Sequence, residues 1–131
     1  MKLKFKKMKK FLLVSALALT TILSYGQDIS DVSQSSNGRL TVRNSQNSEI
    51  SSKYISDGDE LSGFSSNIIV VTSKNGRVTV YDQKFSEISS KYISDGDRVK
   101  NVNGNNIIIK SKNGRVTTYD KKFSEISSRY E

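Results

Sequence analysis

The sequence contains no cysteine, proline, tryptophan or histidine. Without cysteine the chain forms no disulfide and offers no thiol for a lipid anchor, so its stability has to come from packing alone. Without histidine and cysteine, the usual nucleophile–base pairs and most transition-metal sites cannot be built. No motif indicates a cofactor, and the reactive groups that remain are carboxylates, amines and hydroxyls.

The first 26 residues show the three parts of a secretory signal peptide. Six lysines lie in the first ten residues, an uncharged apolar run covers residues 11–23, and Ser24 and Gly26 are small residues before a cleavage site. The run is shorter than the about 20 residues of a membrane-spanning helix. We therefore expect a cleaved signal peptide over residues 1–26 and a secreted or periplasmic β-repeat domain over residues 27–131. An uncleaved N-terminal anchor is the alternative.

The formal charge of +8 comes largely from this N-terminal segment. Six of the 21 basic residues lie there, which leaves 15 basic against 13 acidic residues in the rest of the chain. A domain with so small a net charge, and with both signs interspersed, has an ordinary soluble surface rather than a nucleic-acid footprint. We expect no nucleic-acid partner and, after cleavage, no membrane contact.

The rest of the chain is a tandem repeat with a period of 38 residues. The tripeptide Asn-Gly-Arg begins at Asn37, Asn75 and Asn113, and the segment from Ser48 to Asp59 recurs unchanged from Ser86 to Asp97. Identity over that length indicates a tandem duplication. The repeats cover residues 37–74, 75–112 and, in part, 113–131.

Each repeat has the pattern of four short β-strands joined by tight turns. Ile69 to Ser73 is a β-branched run typical of a strand buried on both faces. Arg77 to Tyr81 and Glu87 to Tyr92 alternate as half-buried strands do, and Arg98 to Val102 is a weaker fourth strand. The Asn-Gly pairs predict type I′ hairpin turns, in which both residues have positive φ. No segment after residue 27 shows the apolar period of a helix, so the fold class is all-β.

Four strands in about 40 residues resemble a β-propeller blade, and the Val80-Tyr81-Asp82 strand end is similar to propeller repeats in general. The resemblance covers residues 27–131 but indicates no specific family, because the WD dipeptide and the Gly-Gly of kelch repeats are absent. It implies an antiparallel meander of about 10–11 short strands. Since propellers typically have four to eight blades, three forms stay open: a ring completed by further copies, an open or wrapped meander, and a shortened relative of a longer propeller.

Two sets of residues are candidates for a site. The candidate ligand contacts are the tyrosines of the less apolar strand face and the cations of the hairpin tips: Tyr81, Tyr119, Lys74, Arg77, Lys112 and Arg115. The candidate Ca²⁺ ligands are the carboxylates of the two Asp-Gly-Asp turns: Asp57, Asp59, Asp95 and Asp97. Calcium needs six to eight oxygens, whereas aspartate in a turn commonly accepts backbone N–H groups, so we expect no metal. Strand alternation places Tyr54, Tyr92 and Tyr130 with the isoleucines, where we expect them to pack.

The acids that might catalyse glycoside hydrolysis recur in every copy, as Glu49, Glu87 and Glu125 do. Because an active site is an asymmetric set of residues, we expect no enzyme. The sequence predicts an exported, non-catalytic β-repeat protein that acts as a binding or scaffold module for a protein or glycan. One alternative is a self-assembling surface or matrix protein, since unpaired edges and proline-free repeats favour self-association. The other is a truncated propeller without a dedicated function.

Overall fold

The computed structural model of the protein describes residues 28–131, which contain β-strands and turns. The predicted signal peptide and its cleavage site lie outside the described residues. The strands are β1 (Asp31–Gln34), β2 (Arg39–Arg43), β3 (Glu49–Tyr54), β4 (Glu60–Phe64), β5 (Ile69–Thr72), β6 (Arg77–Tyr81), β7 (Glu87–Tyr92), β8 (Arg98–Asn103), β9 (Asn106–Lys110), β10 (Arg115–Asp120) and β11 (Glu125–Tyr130). Within this part of the chain, no helix has the length and apolar character needed to cross a membrane.

The strands form three antiparallel sheets in chain order, which we call blades A, B and C. Blade A contains β1 to β3, blade B contains β4 to β7, and blade C contains β8 to β11. The expected all-β meander of about 10–11 short strands in blade-like units is thereby confirmed, with eleven strands in the described residues. Blades B and C begin at Glu60 and Arg98, inside the 38-residue units counted from Asn-Gly, because a tandem repeat has no unique starting point in sequence.

The Asn-Gly hairpins differ from the predicted type I′ turn. Gly76 has a φ of 88°, but the asparagine before it does not have a positive φ. The Gly76 N–H donates to the Ser73 carbonyl at 3.0 Å, and the Ser73 N–H donates to the Arg77 carbonyl at 2.8 Å. This is a three-residue loop, in which a turn is followed by one left-handed residue. Asn75 instead uses its side-chain oxygen to accept the Arg77 N–H at 3.3 Å.

Blade B is apolar on both faces, and each face packs against a neighbouring blade. Towards blade A, Ile69 and Val71 join a core cluster that includes Leu40 and Val42. Towards blade C, the buried residues are Ile68, Val70, Val78, Val80, Val102, Ile107 and Ile109. Two separate cores therefore hold the three blades together, and blade B contributes to both.

The inner strands β4 and β8 approach each other most closely at Gly63. A Cβ atom built on Gly63 would lie 2.8 Å from Cγ2 of Val102, closer than real Cβ contacts allow. The absence of a side chain at this position therefore lets two inner strands meet, as blades do near the centre of a propeller.

Blade A has a polar outer face. The paired residues on that side, Asp31 with Arg43 and Ser33 with Thr41, are all polar, although Thr41 is buried, and they alternate with the buried Val32 and Val42. At the four positions where this face differs most, blade A has Asp31, Ser33, Arg43 and Asn47, and blade B has Ile69, Val71, Tyr81 and Phe85. The first blade thus lacks the apolar surface that a further blade would bury, as terminal repeats of solenoid proteins do.

Blade C is modified on its own outer face. Lys100 and Lys110 both bind Glu131, with Nζ–oxygen distances of 2.6 and 3.1 Å. Their places in blade B are taken by Ser62 and Thr72, which share a hydrogen bond. The two lysines hold the pKa of Glu131 at about 2, below its usual value. Charged groups therefore cover part of this face, although Ile126 stays 56% exposed.

Phe85 and Phe123 occupy left-handed positions after β6 and β10, each with a φ of 61°. A left-handed backbone costs a residue with a Cβ atom about 1–2 kcal/mol. Each ring packs edge-on against a tyrosine of the preceding strand, Tyr81 or Tyr119, which offsets part of that cost. In blade A, Asn47 takes this place with a φ of 63°, and asparagine adopts that conformation more readily. Phenylalanine is therefore used where a neighbouring blade has to be packed.

If the polar face of blade A prevents the addition of a further blade, making it apolar will cause association. We expect the variant Asp31→Ile, Ser33→Val, Arg43→Tyr, Asn47→Phe to form dimers or larger species as its concentration rises, because the new patch remains exposed in the monomer. Sedimentation velocity measures the effect, and the polar variant Asp31→Asn, Ser33→Thr, Arg43→Lys, Asn47→Gly is the control. Wild-type sedimentation of the apolar variant at every concentration would contradict this role of the face.

Candidate functional site

An open cleft of about 750 Å³ lies between blades A and B. The end of β3 and the following Asp-Gly-Asp turn form one wall, and the β5–β6 hairpin and the ends of β6 and β7 form the other. Its polar lining includes Ser56, Asp57, Ser73, Lys74, Asn75 and Arg77. The tyrosines of the lining are Tyr54, Tyr81 and Tyr92. The cleft thus brings together aromatic rings, hydroxyl groups and charges of both signs.

Tyr54, Tyr92 and Tyr130 are exposed, by 64%, 64% and 71%, so the prediction that they pack in the core is wrong. The reason lies in a β-bulge in the outer strand of each blade. In β7, Glu87 pairs with Tyr81 but Ser89 pairs with Val80, which breaks the simple alternation of faces. Tyr92 is consequently paired with Arg77 at the end of the outermost strand, where little of the ring is covered.

Tyr81 and Tyr119, which we expected to be the better ligand contacts, are half-buried instead. The Tyr81 ring packs edge-on against Phe85, with the centroids 5.7 Å apart, and the Lys53 ammonium lies 5.6 Å from the Tyr81 centroid. Burial raises the pKa of the Tyr81 hydroxyl, and the nearby Glu87 carboxylate raises it further. Tyr81 therefore forms the floor of the cleft, and Tyr119 has the same surroundings in the next blade.

The arginines of the hairpin tips are engaged within their own blades. One terminal nitrogen of Arg77 lies 3.3 Å from the Glu87 carboxylate and donates to the Ser90 hydroxyl at 3.0 Å. Arg115 makes the corresponding contacts with Glu125 and Ser128. These pairs are about 40–50% exposed, so each contributes at most about 1 kcal/mol to stability. They orient the guanidinium groups and leave them accessible.

At the hairpin tips, the backbone N–H of each lysine donates a hydrogen bond, whereas the residue is otherwise exposed. The Lys74 N–H donates to the Asp59 carboxylate at 3.1 Å. The stem of Lys74 crosses Gly58, where an added Cβ atom would lie 2.9 Å from the Lys74 Cδ. Lys112 has the same relation to Asp97 and Gly96. The amines therefore stand at the rim of their clefts.

The Asp-Gly-Asp turns divide the four candidate calcium ligands into two kinds. Asp59 uses one oxygen for the Lys74 N–H and the other for the Ser56 N–H at 3.2 Å, and Asp97 repeats this arrangement. The first acids of the turns, Asp57 and Asp95, are exposed. No group of three acids suited to a metal ion occurs within residues 28–131. The second aspartate of each Asp-Gly-Asp turn thus links the loop between two blades to the β-hairpin of the following blade by hydrogen bonds.

The sequence did not predict a second contact between blades. The Ser51 hydroxyl of β3 donates to the Gln83 carbonyl in the β6–β7 turn at 2.5 Å, and Ser89 donates to Lys121 in the same way. Only the strict recurrence of Ser-Ser in each outer strand gave a sequence signal for this bond. The bond fixes the outer part of each blade against the next and so helps to set the width of the cleft.

The two acids of one turn provide a direct test of these roles. We expect Asp59→Ala to lower the free energy of unfolding by about 1–3 kcal/mol, because two backbone N–H groups lose their acceptor. Asp57→Ala, the matched control in the same exposed turn, should change it by no more than about 0.5 kcal/mol. Urea unfolding with and without Ca²⁺ measures both effects. Equal losses in the two variants, or a wild-type transition that shifts with Ca²⁺, would contradict the assignment.

No protein-family model matches the sequence, and no curated protein does. Among solved structures, the chain is similar to BamB from Moraxella catarrhalis, a β-propeller, with a TM-score of 0.50 and 9% sequence identity. The alignment covers 77% of this chain and 34% of that one, so the chain spans about a third of its length. At this identity the likeness concerns the fold alone. The chain is thus a propeller-like β-repeat protein, and no specific family is shown.

Proposed function

We propose that the protein is an exported, non-catalytic binding module that holds a glycan in the cleft between blades A and B. The observation that carries the proposal is the pair of exposed tyrosines, Tyr54 and Tyr92, which come from adjacent blades and line one open cleft. Export rests on the signal-peptide pattern of the N-terminal sequence.

A sugar ring suits the chemistry of this cleft. Tyrosine has an apolar ring face and a polar hydroxyl tip, so an exposed tyrosine can stack on the C–H face of a sugar while its hydroxyl stays hydrated. Sugar hydroxyls need both donors and acceptors, and the cleft lining supplies Ser73, Asn75 and Lys74 beside Asp57. An open, polar cleft also suits a ligand that keeps part of its surface in water.

The acids of the cleft favour binding rather than catalysis. The cleft is lined by two acids, of which Asp59 uses both carboxylate oxygens to accept backbone N–H groups. Hydrolysis of a glycosidic bond requires two carboxyl groups in different environments on either side of the bond. The remaining acid of the lining, Asp57, is exposed in its turn and has no such partner among the described residues of this cleft.

Self-assembly is the second candidate function. Each blade leaves its outermost strand, β3, β7 or β11, paired on one side, and every residue of β11 is exposed. Unpaired strand edges favour addition of another chain. Because the outer face of blade A is polar, we propose that self-association proceeds through these edges rather than by stacking of further blades.

Polysaccharide binding by wild type and variants tests the glycan proposal. We expect gel retardation by at least one soluble polysaccharide from a panel of dextran, mixed-linkage β-glucan, alginate and polygalacturonate, or retention on insoluble peptidoglycan. Tyr92→Ala should weaken that binding about fivefold or more, since loss of an aromatic contact that the ligand buries costs more than about 1 kcal/mol. Ile126→Ala, a change at an exposed apolar residue of blade C outside the cleft, is the control.

Two results would contradict the glycan proposal. One is the absence of retardation or retention throughout the panel. The other is binding that Tyr92→Ala and Ile126→Ala weaken equally, which would show that the cleft is not the contact surface. Capture of a defined protein in place of a polysaccharide, with sensitivity to Tyr92→Ala, would assign the same tyrosines to a protein ligand.

A further inference from the structure

The groups that form the floor of the first cleft recur between blades B and C with nearly the same geometry. The Lys91 ammonium lies 5.5 Å from the Tyr119 centroid, against 5.6 Å for the Lys53–Tyr81 pair. The Tyr119 and Phe123 rings are 5.8 Å apart, against 5.7 Å in blade B. Because these groups do not differ, a ligand segment that fits the first floor also fits the second.

The rim of the first cleft is reproduced as well. The Lys112 N–H donates to Asp97 at 3.0 Å, against 3.1 Å for the Lys74–Asp59 pair. Arg115 donates to Ser128 at 3.0 Å, the same distance as its counterpart in blade B. The rim groups between blades B and C therefore have the same arrangement of cations and turn carboxylates as those of the first cleft.

Tyr92 has two corresponding positions. It lines the first cleft together with Tyr54, and it ends β7 as Tyr54 ends β3, so it takes the Tyr54 position relative to blade C. Tyr130 ends β11 and takes the Tyr92 position there. Three exposed tyrosines thus end the outer strands of successive blades.

The row ends at blade A. Its outer face has Arg43 where blades B and C have Tyr81 and Tyr119, so that face lacks the aromatic floor of a further cleft. The described part of the chain therefore supplies two matching sets of cleft-lining residues, one between blades A and B and its counterpart between blades B and C, with Tyr92 common to both.

We infer that the ligand is a linear polysaccharide whose single chain occupies both clefts at once. The inference rests on the proposed glycan function and specifies its ligand class. Two identical sites in a row match a ligand that itself repeats. Once one cleft holds a chain, the second cleft sees the next segment at a high effective concentration, which can raise the overall affinity by about 10²–10⁴-fold. A short oligosaccharide fills one cleft and gains nothing from the other.

The dependence of affinity on chain length tests the inference. Isothermal titration calorimetry measures binding of size-fractionated oligosaccharides of mixed-linkage β-glucan and of alginate to the full chain. We expect affinity to rise at least tenfold when the chain becomes long enough to reach both clefts, and stoichiometry to change from two short oligosaccharides to one long chain per protein.

The tyrosine variants distinguish the shared position from the terminal ones. Tyr54→Ala and Tyr130→Ala should each remove most of the rise with chain length and leave one cleft intact for short oligosaccharides. Tyr92→Ala should weaken binding of short and long chains alike, because both clefts lose a wall. Ile126→Ala should leave both affinities unchanged, and thermal unfolding of each variant shows that these exposed substitutions leave the fold intact.

Affinity that is independent of chain length, or equal effects of the three tyrosine variants, would overturn the two-cleft inference and leave the glycan function standing. Failure of every polysaccharide to bind would overturn the proposed function itself, and the inference with it. The two failures are therefore separate results of one titration.

Discussion

The middle sheet of this protein is apolar on both faces, and no single neighbour can cover it. Val78 and Val80 face blade C while Ile69 and Val71 face blade A, and all four are almost fully buried. Burial of each such side chain contributes about 1.5–3 kcal/mol to stability. An isolated blade would expose these side chains and lose a large share of the free energy that stabilises it. Blade B requires a blade on each side, and a stack of three is the smallest arrangement that provides this. The closely packed inner strands and the serine bonds at the periphery follow from that arrangement.

The need to stop the stack explains how the three copies of the repeat differ. Positions that are apolar in blade B become Asp31 and Ser33 in blade A, and blade C places Lys100 and Lys110 on its outer face against Glu131. The residues that face a cleft remain the same from copy to copy. The residues that permit or prevent stacking thus lie on the faces of the blades, whereas the tyrosines lie at their rim. The proposed binding surface results from the spacing between packed blades.

Much of the fold follows from the sequence, because repetition, alternation and turn residues are local signals. The eleven strands and the existence of the hairpins were predicted from them. Two features were not. The bulge at Ile88 requires knowledge of the pairing of β6 with β7, and strict alternation therefore placed Tyr92 in the core, whereas it is exposed. Tyr81 lines the cleft but is half-buried against Phe85, a contact that alternation does not predict. The turn geometry at Gly76 depends on loop length, which a dipeptide alone does not set.

At the site, the cations and the aspartates were predicted from the sequence. Which aspartates bind the backbone of the next blade and which are exposed was not, because this depends on contacts between turns that are distant in the sequence.

Amide hydrogen exchange, resolved by strand, tests most directly whether two cores converge on a central blade. Local opening is cheapest where few contacts are lost, so exchange reports the free energy of opening each strand. If both cores depend on blade B, amides of β5 and β6 exchange slowest and at the rate of global unfolding, those of β2 and β10 are intermediate, and those of the edge strand β11 exchange fastest. Blade B amides that exchange as fast as those of β11, or three blades that open independently at similar rates, would contradict that dependence.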